Sequence, residues 1–173
     1  MRKLLVLLSL IIVAGCSNAQ PKNDGTIAHY RILKTDSTFT SYTDLKKNQP
    51  VMLIYFGPDC PHCQRLTLEM KQNMDVLKKV QIVMVTFTKT ESPWMSMIKN
   101  FSRDYDLPKY KNITMGTEYP DFLKYGYYPV QRYYTVQTTP YIAIYDRKGK
   151  LSKAFSKEPA IKDVVAAVKR VVM

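Results

Sequence analysis

Two of the three cysteines in this 173-residue chain are separated by only two residues, in the run Cys60-Pro61-His62-Cys63. Thiols at this spacing lie one helical turn apart and can close a small disulfide within the chain. In such chemistry Cys60, nearer the exposed end, attacks a disulfide, and Cys63 resolves the mixed disulfide that forms. Half of a zinc site is the alternative, but no second C-x-x-C or H-x-H follows to complete four ligands. The spacing therefore favours thiol-disulfide exchange.

The two cysteines lie at a predicted junction between a strand and a helix. Upstream, the run from Val51 to Phe56 is β-branched, aliphatic and aromatic, which is typical of a strand buried on both faces. Downstream, apolar residues recur at helical spacing, at Leu66, Met70, Met74 and Leu77. Cys60 is therefore expected at a helix N-terminus, where unpaired N–H groups and the macrodipole stabilise a thiolate. Pro61 fits the first turn because it has no N–H group to leave unpaired.

The C-x-x-C run resembles the active-site motif of the thioredoxin superfamily, and its Pro-His dipeptide is similar to that of DsbA-type oxidoreductases. Thr139-Pro140, just before the strand-like run from Tyr141 to Tyr145, matches the place where this family carries a cis-proline facing the disulfide. The likeness covers most of residues 28 to 172. Its layout most resembles the membrane-tethered TlpA- and ResA-like proteins, with an insert between the motif helix and that proline.

This resemblance implies an α/β thioredoxin-like fold, in which a central mixed β-sheet is flanked by helices. It also implies a thiol-disulfide oxidoreductase that needs no cofactor beyond its own cysteines. The catalytic residues are then Cys60, Cys63, His62 and Pro140. In this interpretation a cis bond precedes Pro140, which lies against Cys60. The backbone of Thr139, with Pro140, then pairs with an extended substrate.

The sequence does not decide whether the protein oxidises or reduces its substrates. His62 favours an oxidant, because an imidazole can donate a hydrogen bond to the Cys60 thiolate or bring positive charge beside it. Asp59 either opposes that thiolate or favours the helix N-terminus, so the sign of its effect is open. Ile54 stands six residues before the first cysteine, where the family often carries a buried acid. Proton removal from Cys63 must then rely on water, another group or a partner.

The first residues read as an export signal. Arg2 and Lys3 precede an apolar run from Leu4 to Val13 that is too short to span a bilayer. Val13-Ala14-Gly15-Cys16 resembles a bacterial lipobox, whose cysteine is acylated and becomes the new N-terminus. Lipidation is therefore expected at Cys16. An ordinary signal peptide with an accidental cysteine is the alternative.

Three segments follow from this interpretation: a lipoprotein signal peptide over residues 1–15, a lipidated N-terminus with a flexible tether over residues 16–27, and a thioredoxin-like domain over residues 28–173. The tether is predicted from its polar composition. We expect a protein of the bacterial cell envelope, lipid-anchored and facing the periplasm. Its partners would be protein thiols and disulfides and an envelope redox partner. The net charge of +12 suits anionic lipid or acidic partners, whereas nucleic acid is not expected for an exported protein.

Other elements follow from periodicity and turn signals. The patterns predict a strand from Val80 to Phe87, a helix from Ser92 to Tyr105, and a hairpin that joins Tyr141–Asp146 to Leu151–Ser156 before a helix from about Glu158. A first strand over Ala28–Leu33 and a short helix over Ser41–Lys47 are also expected. The stretch from Leu107 to Val136 is the least regular, with a short helix predicted at Tyr119–Gly126.

Two questions stay open for the functional residues. The tyrosines of the irregular stretch either line a substrate groove or pack into the core, and they are Tyr127, Tyr128, Tyr133 and Tyr134. The motif itself has a second candidate use, because Cys60, Cys63 and His62 are soft ligands for Cu(I) delivery. A binding module with a vestigial redox site is a third class, but the presence of both cysteines weighs against it.

Overall fold

The computed structural model describes residues 24–87, 93–118 and 128–173. Within them, seven strands form one mixed sheet in the order β2-β1-β5-β4-β3-β6-β7. The strands are β1 (Arg31–Lys34), β2 (Phe39–Ser41), β3 (Val51–Tyr55), β4 (Gln81–Phe87), β5 (Ile113–Glu118), β6 (Tyr141–Tyr145) and β7 (Leu151–Phe155). Strands β3, β4 and β5 are parallel, and the neighbours on both sides run antiparallel. The predicted mixed α/β fold is confirmed.

Strand β3 is the buried centre of the sheet. All five of its residues are buried, because apolar side chains alternate toward both faces. Met52 and Ile54 pack on one face with Cys63, and Leu53 and Tyr55 pack on the other. The sheet therefore separates two apolar layers, and the motif cysteines belong to the first.

Helices cover both faces of the sheet. The helices are α1 (Pro61–Gln72), α2 (Met74–Leu77), α3 (Trp94–Asp104), α4 (Pro129–Tyr133) and α5 (Ile161–Val172), with 3-10 turns at Tyr42–Asp44 and Leu107–Lys109. Buried residues of α1, α3 and α5 share the layer that contains Cys63, whereas Val130 of α4 lies in the opposite layer with Ala28 and Tyr30. The helical stripe predicted in α3 is core packing, with Trp94, Ile98 and Phe101 buried.

Most predicted elements are present with shorter bounds. The predicted helix over Ser41–Lys47 is wrong in type and length, because only a 3-10 turn forms at Tyr42–Asp44. Its Ser41 start is right: the Ser41 N–H donates to the Asp44 carboxylate at 2.8 Å. The first strand begins at Arg31 rather than Ala28. The short helix predicted at Tyr119–Gly126 lies outside the described residues.

The irregular stretch contains one strand that the pattern did not predict. Strand β5 lies between β4 and β1, with Gly116 paired to Lys34. A Cβ on Gly116 would lie 2.6 Å from the backbone oxygen of Leu33. Glycine is therefore required here for the two strands to approach each other.

Glu118, the last residue of β5, is a carboxyl group with 1% exposure. Its oxygens accept hydrogen bonds from the Tyr55 hydroxyl at 2.6 Å and from the backbone N–H groups of Val130 at 2.7 Å and Gln131 at 3.3 Å. The two backbone donors belong to the first turn of α4, so Glu118 joins that helix to the sheet. Burial raises the pKa of Glu118 to about 7, because the loss of water outweighs the three bonds that favour the carboxylate.

Glu118→Gln is expected to flatten the pH dependence of stability between about pH 5 and pH 8. In the unfolded chain this carboxyl ionises near its ordinary value of 4.5, whereas in the fold it stays protonated up to about 7. Its contribution to stability is thus fully present below pH 4.5 and is lost as the pH rises through about 7. The loss amounts to at most about 3 kcal/mol.

Urea unfolding of the wild-type protein and of Glu118→Gln, at about pH 5 and at about pH 8, measures this difference. The comparison removes the contribution of other titrating groups, which the two proteins share. An equal change in the free energy of unfolding in wild type and in Glu118→Gln would contradict the assignment.

Candidate active site

Cys60 is the N-cap residue of α1, with extended backbone angles (φ −87°, ψ 115°) and Pro61 at the next position. Its carbonyl accepts the first helical bond, from the N–H of Gln64 at 3.0 Å. The strand-to-helix junction therefore ends with Cys60 at the terminus and Cys63 one turn inside, as the spacing predicted. Both cysteines are free thiols in this structure.

The Cys60 thiol is half-buried and its pKa lies below the ordinary value. Partial burial raises this pKa, but hydrogen bonds from the Thr139 side chain, the Cys63 thiol and the backbone N–H groups of Cys63 and His62 lower it by more. The N–H groups are unpaired donors of the first helical turn, so they are free to face the sulfur. Cys60 is therefore the more accessible and more acidic thiol of the pair.

Cys63 has the opposite environment. It is 1% exposed, and burial raises its pKa to about 12. The N–H of Gly57 donates to its sulfur at 3.5 Å, which opposes the effect of burial only in part. Cys63 thus keeps its proton and is shielded from solvent.

The loop before β6 faces the motif. The peptide bond between Thr139 and Pro140 is cis, as the sequence predicted. The Cys60 sulfur lies 3.5 Å from the Thr139 carbonyl oxygen. Gly57 lies against both residues, since a Cβ there would lie 3.3 Å from the Cβ of Cys60 and 3.8 Å from the Thr139 hydroxyl. The predicted site residues Cys60, Cys63, Thr139 and Pro140 are therefore brought together.

His62 lies in the motif, but its ring bonds elsewhere than expected. The imidazole Nδ1 is 2.5 Å from Oε2 of Glu158 and 2.8 Å from Nη2 of Arg65. Only the backbone N–H of His62 contributes to Cys60. The expected hydrogen bond from the ring to the thiolate is therefore replaced by an ion cluster. Neither Arg65 nor Glu158 was singled out from the sequence, although Arg65 lies one turn after His62 on the same helix.

The geometry of the described residues gives little support to a metal-binding site at the motif. Over residues 24–87, 93–118 and 128–173, no three or more His, Cys, Asp or Glu side chains form a group that could hold a metal ion. The Nδ1 of His62 is directed toward Glu158 and Arg65 rather than toward the two cysteines.

The tyrosines of the irregular stretch serve packing rather than a groove where they are described. The Tyr134 hydroxyl accepts from the Ala28 N–H at 3.0 Å and from the Tyr145 hydroxyl at 2.7 Å, and the residue is 6% exposed. Tyr133 donates to Asp24 at 2.9 Å. The Tyr128 ring packs against Phe87 at 5.5 Å. Tyr127 lies outside the described residues.

A cavity of about 300 Å³ opens instead beside the motif loop. Pro58, Asp59 and Gln64 line it on the motif side, and residues from Met97 to Tyr105 line it on the α3 side. Asp59, whose electrostatic effect on Cys60 the sequence left open, is exposed at this mouth. The first residue of its lining, Pro58, is two residues before Cys60 in the chain.

Asp24 is the first described residue. It lies inside the predicted tether and contacts the domain. The Asp24 carboxylate accepts from Tyr133, and the Leu151 N–H donates to the Gly25 carbonyl at 2.7 Å. Cys16 and the predicted signal peptide lie outside the described residues. None of the helices in the described part of the chain is long and apolar enough to cross a membrane.

A family model for the thioredoxin-like domain matches residues 43–156, which include the motif, the cis-proline and the strands between them. The chain belongs to the thioredoxin-like family. A search of curated protein sequences finds no significant match for this thioredoxin-like chain.

Solved structures share the fold at low sequence identity. A secreted disulfide oxidoreductase of Mycobacterium tuberculosis, homologous to Escherichia coli DsbE, superposes with a TM-score of 0.63 and 15% identity over 82% of this chain and 96% of its own. The thioredoxin domain of a Bacteroides vulgatus thiol-disulfide oxidoreductase gives 0.63 and 18%, over 86% and 97%. An exposed lipoprotein thioredoxin of Streptococcus pneumoniae gives 0.57 and 18%, over 83% and 99%. Nearly the whole length of each of these three structures aligns with this chain.

The two thiols of this thioredoxin-like site are expected to alkylate at very different rates. Iodoacetamide reacts with thiolates, so at about pH 7 it should modify Cys60 at least tenfold faster than Cys63, because one pKa unit is a tenfold change in ionisation. Peptide mapping by mass spectrometry of the reduced protein measures both rates. In denaturant the two rates should converge, and equal rates in the folded protein would overturn the assignment.

Proposed function

We propose that the protein is a thiol-disulfide oxidoreductase that acts on protein thiols and disulfides through Cys60 and Cys63. The observation that carries this proposal is the asymmetry of the pair: a half-buried Cys60 with a lowered pKa and a buried Cys63 with a raised one. Two thiols in one helical turn with opposite reactivities suit a sequence of attack and resolution. The related structures that carry the same fold are named as disulfide oxidoreductases.

The reduced protein starts the exchange as follows. The Cys60 thiolate attacks one sulfur of a substrate disulfide, which breaks that S–S bond and forms a mixed disulfide. The departing substrate thiolate takes up a proton. Cys63 then loses its proton and attacks the Cys60 sulfur, so that the Cys60–Cys63 disulfide forms and the second substrate thiol is released. Two electrons pass to the substrate, and the same steps in reverse oxidise a substrate dithiol.

The proton of Cys63 needs an acceptor when Cys63 attacks the mixed disulfide. No carboxyl group lies at position 54, where Ile54 is buried in the apolar layer that contains Cys63. The Cys63 thiol instead donates toward the Cys60 sulfur, which is one of the bonds that lowers the pKa of Cys60. When Cys60 enters a mixed disulfide it loses its charge, and water or a substrate group must then take the proton of Cys63.

Thr139 and Pro140 form the substrate side of the site in this proposal. The Thr139 carbonyl faces the Cys60 sulfur at 3.5 Å, so a substrate sulfur bound to Cys60 arrives beside the Thr139 backbone. An extended peptide can pair there as a short added strand.

Serine variants of the two cysteines test the exchange reaction. Cys60→Ser should reduce the rate of insulin disulfide reduction to background, because the attacking thiolate is lost. Cys63→Ser should keep the first step and accumulate mixed disulfides, which non-reducing gels and mass spectrometry detect. Full activity in Cys60→Ser, or the absence of trapped species in Cys63→Ser, would refute the assigned roles.

We also propose that the protein is a lipoprotein of the bacterial cell envelope, anchored through Cys16 and facing the periplasm. The run Val13-Ala14-Gly15-Cys16 directly follows an apolar segment, in the arrangement of a lipobox. A related structure of the same fold is named as an exposed lipoprotein. In this location the partners are exported proteins and an envelope redox partner that restores the oxidation state of the cysteines.

Cys16→Ser tests the anchor separately from the chemistry. Wild-type protein should incorporate radiolabelled palmitate and fractionate with membranes, whereas the variant should do neither. Its purified domain should still catalyse exchange, because Cys16 plays no part in the dithiol. A wild-type protein that takes up no palmitate and is recovered in the soluble periplasmic fraction would exclude the lipoprotein assignment.

A further inference from the structure

Five segments of the chain meet at the end of the sheet opposite the motif. Strands β3, β4 and β5 begin at this end and β6 finishes there, with Val51 paired to both Gln81 and Tyr145. The segments are residues 45–50 before β3, 74–80 before β4, 105–112 before β5, 146–150 after β6 and 169–173 at the end of α5. We call their exposed surface the basal face.

Hydrogen bonds hold the segments of the basal face against one another. The Lys46 N–H donates to the side-chain carbonyl of Gln81 at 2.7 Å. The side-chain amide of Asn112 donates to two backbone carbonyls of the segment before β4, at 3.1 Å and 2.9 Å. Arg147 donates to the Val172 carbonyl at 2.7 Å and so joins the hairpin turn to the end of α5. The basal face is therefore one connected surface built on the ends of buried strands.

The basal face is strongly cationic. Exposed lysines and arginines number eleven, with two in each of residues 46–47, 78–79, 109–111 and 169–170 and three in residues 147–150. The five segments hold only three carboxylate side chains, which are Asp75, Asp106 and Asp146. None of the eleven cations forms an ion pair with another described residue. Most of this positive charge therefore has no neutralising partner in the described part of the chain.

The motif end has no comparable excess of charge among the described residues. Arg65 pairs there with Glu158 at 2.6 Å. Lys157 and Lys162, close to the start of α5, are accompanied by the exposed Asp163. The positive charge of the domain is thus concentrated at the end of the sheet that lies away from the cysteines.

We propose that the basal face binds the anionic headgroups of the membrane that carries the Cys16 anchor, and that it holds the domain with the motif directed away from the bilayer. This inference rests on the proposed envelope location and adds an orientation to it. The position of the tether favours a bilayer over other polyanions. The Leu151 N–H donates to the Gly25 carbonyl at 2.7 Å, directly after Lys150 in the chain. The tether therefore enters the domain at the end that carries the charge.

The attraction is the sum of many weak contacts. Each lysine or arginine close to an anionic bilayer strengthens binding by about fivefold. The effect extends over about one Debye length, which is about 8 Å at physiological ionic strength, so only cations on the same side of the domain act together. Long side chains place their charges among the headgroups while the backbone stays outside the bilayer. The tether adds to this effect because it keeps the lipid at a high local concentration.

Vesicle binding tests the basal face separately from the anchor. The chain from residue 16 onward with Cys16→Ser contains every described residue and has no acylation site. It should sediment with mixed vesicles of phosphatidylcholine and phosphatidylglycerol but not with vesicles of phosphatidylcholine alone. An increase in salt from about 0.1 M to about 1 M shortens the Debye length from about 10 Å to about 3 Å and should release it.

Two double variants with the same loss of charge locate the contact. Lys78→Gln with Lys148→Gln removes two charges from the basal face and should weaken binding to the mixed vesicles by about tenfold. Lys157→Gln with Lys162→Gln is the matched control. It removes two exposed charges near the motif end and should weaken binding by less than about twofold, because these charges lie more than a Debye length from the lipid.

Lysine footprinting measures the orientation of the bound chain. A water-soluble acetylating reagent should modify Lys148 more slowly when mixed vesicles are present, whereas Lys162 should react at an unchanged rate, and peptide mapping by mass spectrometry measures both. Equal protection of the two lysines, equal binding of the two double variants, or equal binding to neutral vesicles would overturn the proposal.

Polyglutamate is the competing ligand. Tighter binding to polyglutamate than to mixed vesicles, at the same concentration of negative charge, would assign the basal face to an acidic protein and also overturn the proposal. Failure of the proposed anchor is a different result, seen as an absence of palmitate on Cys16 in the wild-type protein. The vesicle assay contains no acyl chain on the protein, so it decides the role of the basal face in either case.

Discussion

The antiparallel pairing of β3 with β6 is the constraint on which the site depends. In this register Tyr55, the last residue of β3, lies opposite Tyr141, the first residue of β6. The chain after Tyr55 runs into the motif, and the chain before Tyr141 is the Thr139-Pro140 peptide. Backbone hydrogen bonds between two fully buried strands therefore bring the nucleophile and the facing loop together. A shift of one residue would reverse the faces of β6 and separate the two loops.

The chemistry of the site then follows from the position of each sulfur along one helical turn. The N-cap sulfur is exposed to unpaired backbone donors, and the sulfur three residues later points into the apolar layer below. The protein thus obtains two thiols of opposite acidity without an acid at position 54. The cost of burial falls on Cys63, which need not ionise in the resting protein. The Thr139 side chain adds to the backbone donors in lowering the pKa of Cys60, whereas burial raises the pKa of Cys63.

Much of this organisation could be predicted from sequence, because the signals are local. The buried run of β3, the helical period of α1 and the turn glycine before β7 each specify an element within a few residues. Strand β5 was missed because Thr114, Gly116 and Thr117 carry little hydrophobic signal. Its burial comes from the strands on either side. The β1–β2 hairpin was missed because Ser37 has a positive φ of 66° where a glycine would have marked the turn.

The contact between His62 and Glu158 was beyond sequence reasoning for a different reason. The two residues are 96 positions apart, and neither occurs in a pattern that predicts the other. Only the packing of the segment before α5 against α1 brings them together. The same holds for Glu118, whose hydrogen bonds join β5 to α4 across a part of the chain with no regular period. Long-range polar pairs of this kind have no periodicity to detect.

The hydrogen bond between Gly25 and Leu151 shows at which end of the sheet the described chain begins. Leu151 pairs with Tyr145, and Tyr145 lies opposite Val51, so this attachment is at the end of the sheet away from the motif. The five residues of β3 separate the two ends by about 13–17 Å. The nine residues from Cys16 to Gly25 reach at most about 30 Å. A membrane anchor at Cys16 would therefore join the domain at the end of the sheet away from the Cys60 sulfur, and the length of the tether would let the motif reach proteins at some distance from the bilayer.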